Sequence, residues 1–284
     1  MRFLAPVLAA GLLLPTLTAC SNGDGSSGDL EVVASFYPLQ YVAQRVAGDH
    51  ATVESLTAPG KEPHDSELTV RQTADVARAD VVVTLGGFQP SVDDAVDQEA
   101  DGAVVDAHEE VRGDDPHFWQ DPTRLAAVAQ RVGSALAKAD AAHAADYRRN
   151  AQELVGDLRA LDRAYRSGLA DCRVDTVVVS HDAFGYLDRY GLDVVGITGL
   201  SPDAEPSPAR LRDLADLIRR TGVTTVFSET LVSPAVARTL AEEVGVRTAT
   251  LDPVEGLTDE TADLDYLSLM RRNLEALRTA GSCT

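Results

Sequence analysis

Cysteine, aromatic residues and positive charge are all scarce in this chain. Three of its 284 residues are Cys, one is Trp and 5% are aromatic, while 25 Lys and Arg stand against 45 Asp and Glu. Three cysteines cannot build a disulfide-dense scaffold or an all-thiolate zinc site, which needs four. A formal net charge of −20 excludes nucleic acid and anionic lipid as partners of the folded body, and favours cations and basic protein surfaces. There is no H-E-x-x-H helix and no G-x-S-x-G turn, so the usual marks of a zinc hydrolase or a serine esterase are missing. No internal repeat is present, and beyond the N-terminus no apolar run approaches the roughly 20 residues of a membrane span.

The N-terminus is the exception in hydropathy. Arg2 precedes an apolar run from Phe3 to Leu17 that ends in Leu17-Thr18-Ala19-Cys20, the charge, core and small-residue order of an export signal. The ending resembles the bacterial lipobox, which makes Cys20 the expected lipidated first residue and the outer face of the cytoplasmic membrane the expected location. Residues 1–19 are read as signal peptide and 20–29 as a flexible, Gly- and Ser-rich tether. Export places the two other cysteines, Cys172 and Cys283, in an oxidising compartment, where a bridge between them is expected.

The body alternates short β-branched runs with amphipathic segments. Strands are expected at 31–35, 52–56, 81–85 and 103–105, and again at 176–180, 193–196, 225–228 and 248–251. That alternation predicts α/β architecture with two parallel-sheet lobes. Thr69 and Gln72 make a capping-box pair, and Asp121 before Pro122 marks a second helix start. The stretch 122–170 has no strand. Its Tyr147, Ala151, Leu154, Leu158, Leu161 and Tyr165 recur every three or four residues, one face of a long rigid helix of about 29 residues. The expected organisation is a lobe at 30–121, a helical connector at 122–170 and a second lobe at 171–284, with a ligand in the cleft between the lobes.

In parallel sheets, ligands lie beyond the C-terminal strand ends. There the chain carries His181, Glu229 and Asp252, each following a second-lobe strand. His64 follows the second strand of the first lobe, and His117 stands just before the connector. Imidazole and carboxylate together suit zinc, and three His with one Asp can close a four-coordinate site. Prolines beside His64, His117 and Asp252 restrict the backbone there. Of the other histidines, His50 and His143 are read as surface residues and His108 as part of an acidic loop. Glu229 and Glu205 are possible supports around the site, Asp121 a helix cap, and Trp119 a packing residue.

The segments Glu62-Pro63-His64-Asp65, Asp115-Pro116-His117-Phe118-Trp119 and Ser180-His181-Asp182-Ala183-Phe184-Gly185 resemble the metal motifs of one family. So do Glu205-Pro206-Ser207-Pro208, Phe227-Ser228-Glu229 and Leu251-Asp252-Pro253. The family is that of the zinc- and manganese-binding solute-binding proteins of ABC importers (cluster A-I), and the likeness runs in order along the whole body. It implies one metal ligand at each of four motifs, here His64, His117, His181 and Asp252. It also implies a monomeric, non-enzymatic protein that delivers its ion to a membrane permease and the permease's ATPase. Histidine at the third motif resembles the zinc-type members, whereas manganese-type members carry Glu there, so Zn2+ is the expected cargo and Mn2+ the alternative. The long His-rich loop of many zinc members is absent; residues 94–115 are short and acidic.

Overall fold

The computed structural model describes residues 30–284. The signal segment, Cys20 and the tether lie outside the described residues. The first lobe comprises β1 (Leu30–Ala34), α1 (Tyr37–Ala47), β2 (Ala51–Ser55), α2 (Val70–Arg78), β3 (Val81–Thr84), α3 (Pro90–Glu99) and β4 (Ala103–Asp106). Two helices follow, α4 (Pro122–Ala139) and α5 (Ala144–Gly168). The second lobe comprises β5 (Thr176–Val179), β6 (Asp193–Gly196), α6 (Pro208–Thr221), β7 (Thr225–Ser228), α7 (Ala235–Val244), β8 (Arg247–Thr250) and α8 (Tyr266–Gly281).

Both sheets are wholly parallel, in the orders β2-β1-β3-β4 and β6-β5-β7-β8. Helices cover both faces of each, so the inner strands are buried on both sides. All four residues of β3 and of β5 are buried, which explains why these strands read as continuous β-branched runs rather than as alternation. The outer face of the first sheet packs Val33, Leu56 and Val82 against Val76 and Val92 of α2 and α3. The outer face of the second packs Val178 and Val226 against Leu214, Ile218 and Leu240 of α6 and α7. The largest core runs through both lobes, joining α1, α4 and α5 to Phe184, Tyr186 and α8.

Local signals act as the sequence predicts. The Thr69 hydroxyl accepts the Gln72 N–H and the Gln72 side chain accepts the Thr69 N–H, closing the capping box on α2. Asp121 caps α4 through the Thr123 N–H, with Pro122 in the first turn. The long helix α5 buries the expected stripe from Tyr147 to Tyr165. It has 25 residues, shorter than expected, because Asp140 caps a separate 3-10 turn at Ala141–His143 instead of extending the helix. Helix α4 packs on α1, β3 and β4, while α5 runs beside α1 and α4 and reaches α8. A Cys172–Cys283 disulfide fastens the end of α8 to the segment entering β5. Among the described residues, no helix is long and apolar enough to cross a membrane.

Candidate metal centre

The C-terminal edges of the two sheets point at each other, and each contributes loops to one buried cluster. His64 lies in the loop between β2 and α2, where its N–H donates to Glu62 Oε2 at 3.0 Å and its ring stands edge-on to Phe88. His117 follows β4 in a tight turn. Asp115 Oδ1 accepts both the His117 backbone N–H, at 3.0 Å, and its Nδ1–H, at 2.7 Å. One carboxylate oxygen therefore fixes backbone and ring together and leaves Nε2 free as an acceptor. His181 comes two residues after β5, and its Nδ1 meets Glu229 Oε1 from the end of β7 at 2.6 Å. Its Nε2 has no hydrogen-bond partner.

The fourth member is Glu255, in the loop after β8. Its Oε1 lies 3.5 Å from His64 Nε2, 3.3 Å from His117 Nε2 and 3.6 Å from His181 Nε2. The His64 and His117 Nε2 atoms are 3.4 Å apart. Four donors each 2.0–2.1 Å from a central zinc stand about 3.3–3.4 Å from one another in a tetrahedron. The Glu255 and His64–His117 distances are close to that spacing, all four donor atoms lie within 4.8 Å of one another, and no other group of three or more His, Cys, Asp or Glu among the described residues converges in this way.

The electrostatics suit a cation. Burial disfavours the Glu255 carboxylate, but the three imidazoles outweigh it and hold its carboxyl well below the usual range. Burial also opposes charge on His181, yet Glu229 and Glu255 push it up to about 10. Burial opposes charge on His117 too, and contacts with Asp115 and Glu255 raise it. At the rim, burial lifts Glu62 to about 7. Asp252 is lifted to about 6, mainly by burial.

The structure brings His64, His117 and His181 together, with Glu229 behind His181. Asp252 is buried beside the cluster but is not a member of it; its Oδ1 accepts the Val254 N–H at 2.8 Å. Glu205 is exposed on the loop before α6. His50 and His143 stack on each other away from the cluster, each against an Asp, and exposed His108 faces the Gly86 carbonyl. Trp119 is buried, and its Nε1–H donates to the Pro253 carbonyl. Sequence reasoning missed Glu255 because it stopped at the first carboxylate after the strand. The available signal was a second carboxylate three residues on, in Asp252-Pro253-Val254-Glu255-Gly256.

Two parallel-sheet lobes thus close on three imidazoles, those of His117 and His181 buried and that of His64 nearly so, and on one buried carboxylate. A family model described as "Zinc-uptake complex component A periplasmic" (ZnuA) matches residues 32–280, and the chain belongs to that family. It is 35% identical over 299 residues to the zinc-binding lipoprotein AdcA of Streptococcus pneumoniae, covering 96% of this chain and 60% of the relative. This chain thus spans about 60% of the length of the AdcA relatives it matches. It is 32% identical to the high-affinity zinc uptake system protein ZnuA of Bacillus subtilis, covering 96% of this chain and 95% of that one. The Zn(II)-bound ZnuA-like domain of S. pneumoniae AdcA superposes with a TM-score of 0.79 at 34% identity, over 89% of this chain and 99% of that one. The laminin-binding protein Lmb of Streptococcus agalactiae gives 0.82 at 30% identity, over 88% and 99%.

Proposed function

We propose that this protein is the extracytoplasmic zinc-capture component of an ABC importer, binding one Zn2+ through His64, His117, His181 and Glu255. The observation that carries this reading is the convergence of the four donor atoms, 3.3–3.6 Å from Glu255 to each imidazole and 3.4 Å from His64 to His117, held by Asp115 and Glu229 behind two of the rings. Three imidazoles favour zinc, whereas a site for manganese is richer in oxygen donors. His117, His181 and Glu255 are buried, while the His64 side chain is 12% exposed, so the ion enters past His64 and leaves the same way.

Export, lipidation at Cys20 and attachment to the outer face of the cytoplasmic membrane follow from the N-terminal pattern. The monomeric, loaded form docks on a membrane permease driven by an ATPase. The role is not enzymatic: four protein donors leave no open position for the activated water that a zinc hydrolase needs.

The test is a competition titration of the metal-stripped chain, from which residues 1–20 are removed, against a chromophoric chelator with zinc and with manganese. Tight one-to-one zinc binding that collapses in His181→Ala is the expected result. Manganese binding as tight as zinc would overturn the metal assignment, and binding of neither would overturn the capture role.

A further inference from the structure

The loop that carries Glu255 is held in an unusual backbone state. Val254 has a φ of 60°, in the left-handed region that β-branched residues avoid, and it is fully buried. Such a conformation persists only when its surroundings over-determine it. Three fixings are present. The Asp252 carboxylate accepts the Val254 N–H at 2.8 Å. Asn273 of α8 clamps the Asp252 backbone from both sides, its Oδ1 accepting the N–H at 2.9 Å and its Nδ2 donating to the carbonyl at 2.6 Å. The Pro253 carbonyl accepts from the side chains of both Trp119 and Gln120, two and three residues after His117.

We infer that Asp252 and Val254 form a brace that aims the Glu255 carboxylate at the three imidazoles, with Asp252 a positioning residue and not a metal ligand. One oxygen of Asp252 is committed to the Val254 N–H. Its backbone is committed to Asn273, and the carboxylate stands outside the converging donor group. The bend at Val254 turns the chain so that Glu255, and not Asp252, reaches the cluster. Because Pro253 is tied to the segment after His117, the brace also sets Glu255 relative to a ligand from the other lobe. The part that matters in Asp252 is therefore an acceptor oxygen, which Asn also supplies.

This inference rests on the zinc reading, and the experiment separates the two. The parent and the Asp252→Asn, Asp252→Ala and Glu255→Gln variants are stripped of metal. Each is titrated with zinc against a competitor and loaded with cobalt(II) for visible absorption, with circular dichroism confirming the fold. Asp252→Asn keeps zinc affinity within about threefold, and Asp252→Ala loses about 10–100-fold, the range for partners behind metal ligands. Asp252→Asn keeps the parent's cobalt bands, whereas Glu255→Gln changes them. If Asp252→Asn weakens zinc as much as Glu255→Gln and shifts the bands, Asp252 is a ligand and the brace is overturned. Asp252→Ala with parental affinity overturns it as well. A parent that binds neither metal overturns the capture role itself, and is recognisable before any variant is compared.

Discussion

At the scale of single residues, the site is a set of paired commitments. Each ring nitrogen that faces away from the cluster of His117 and His181 is engaged by a carboxylate, Asp115 and Glu229 respectively, which orients the ring and raises the basicity of the other nitrogen. Raised basicity has a cost at low pH, since protons and zinc compete for the same Nε2 atoms. With His181 pushed up to about 10 in the metal-free protein, its ring carries two protons at pH 7.5. Coordination at Nε2 must expel one while Nδ1–H stays on Glu229. Zinc affinity therefore falls as pH falls, about tenfold per pH unit for each proton released. Calorimetry at pH 7.5 in buffers of different ionisation enthalpy should detect at least one proton released per zinc. Zero release would mean that the His181 ring already carries a single proton in the metal-free protein, and would contradict its raised pKa rather than its ligation. Three of the four clustered residues were legible in the sequence because each is a histidine beside a proline or a strand end. Glu255 was not, because its position depends on the left-handed turn at Val254 and the clamp by Asn273, which lies 21 positions from Asp252 in sequence.

At the scale of elements, the helix pair α4 and α5 sets the spacing on which the lobes are built. Gly133 lets the two approach closely: a Cβ there would stand 2.7 Å from the Ala151 Cβ. Gly133→Val must push the helices apart or strain both, and overpacking of this kind costs about 1–3 kcal/mol. Thermal unfolding of the metal-free protein should shift down by several degrees, and an unchanged midpoint would mean that the helices do not pack as described. All eight strands were legible to within about a residue at each end, because buried parallel strands are short β-branched runs between helical patterns. The length of α5 was less legible. Its apolar stripe is periodic, but the break at Asp140 depends on that side chain choosing a 3-10 turn over a continuing helix. The capping box at Thr69 was readable since all its partners lie within four residues.

At the scale of the whole molecule, one core spans both lobes, and the lobes are tied by buried hydrogen bonds as well as by α5. Trp119 and Tyr266 exchange contacts across the cleft, with Tyr266 Oη–H donating to the Trp119 carbonyl and Trp119 reaching Pro253. Tyr186 accepts the Arg112 N–H and donates to the Asp115 carbonyl, the residue that orients His117. Such ties hold the two lobes in one arrangement, consistent with the proposed entry of the ion past the partly exposed His64. The formal charge of −20 for the chain raises the local concentration of cations around the protein. What unites these features is a single closed centre of three imidazoles and one carboxylate. X-ray absorption at the zinc edge of the protein loaded with one equivalent tests that directly. The expected spectrum has a first shell of nitrogen and oxygen at about 2.0–2.2 Å with the outer-shell signature of three imidazoles. An all-oxygen shell without imidazole scattering would place the ion among surface carboxylates and contradict the assignment of the site.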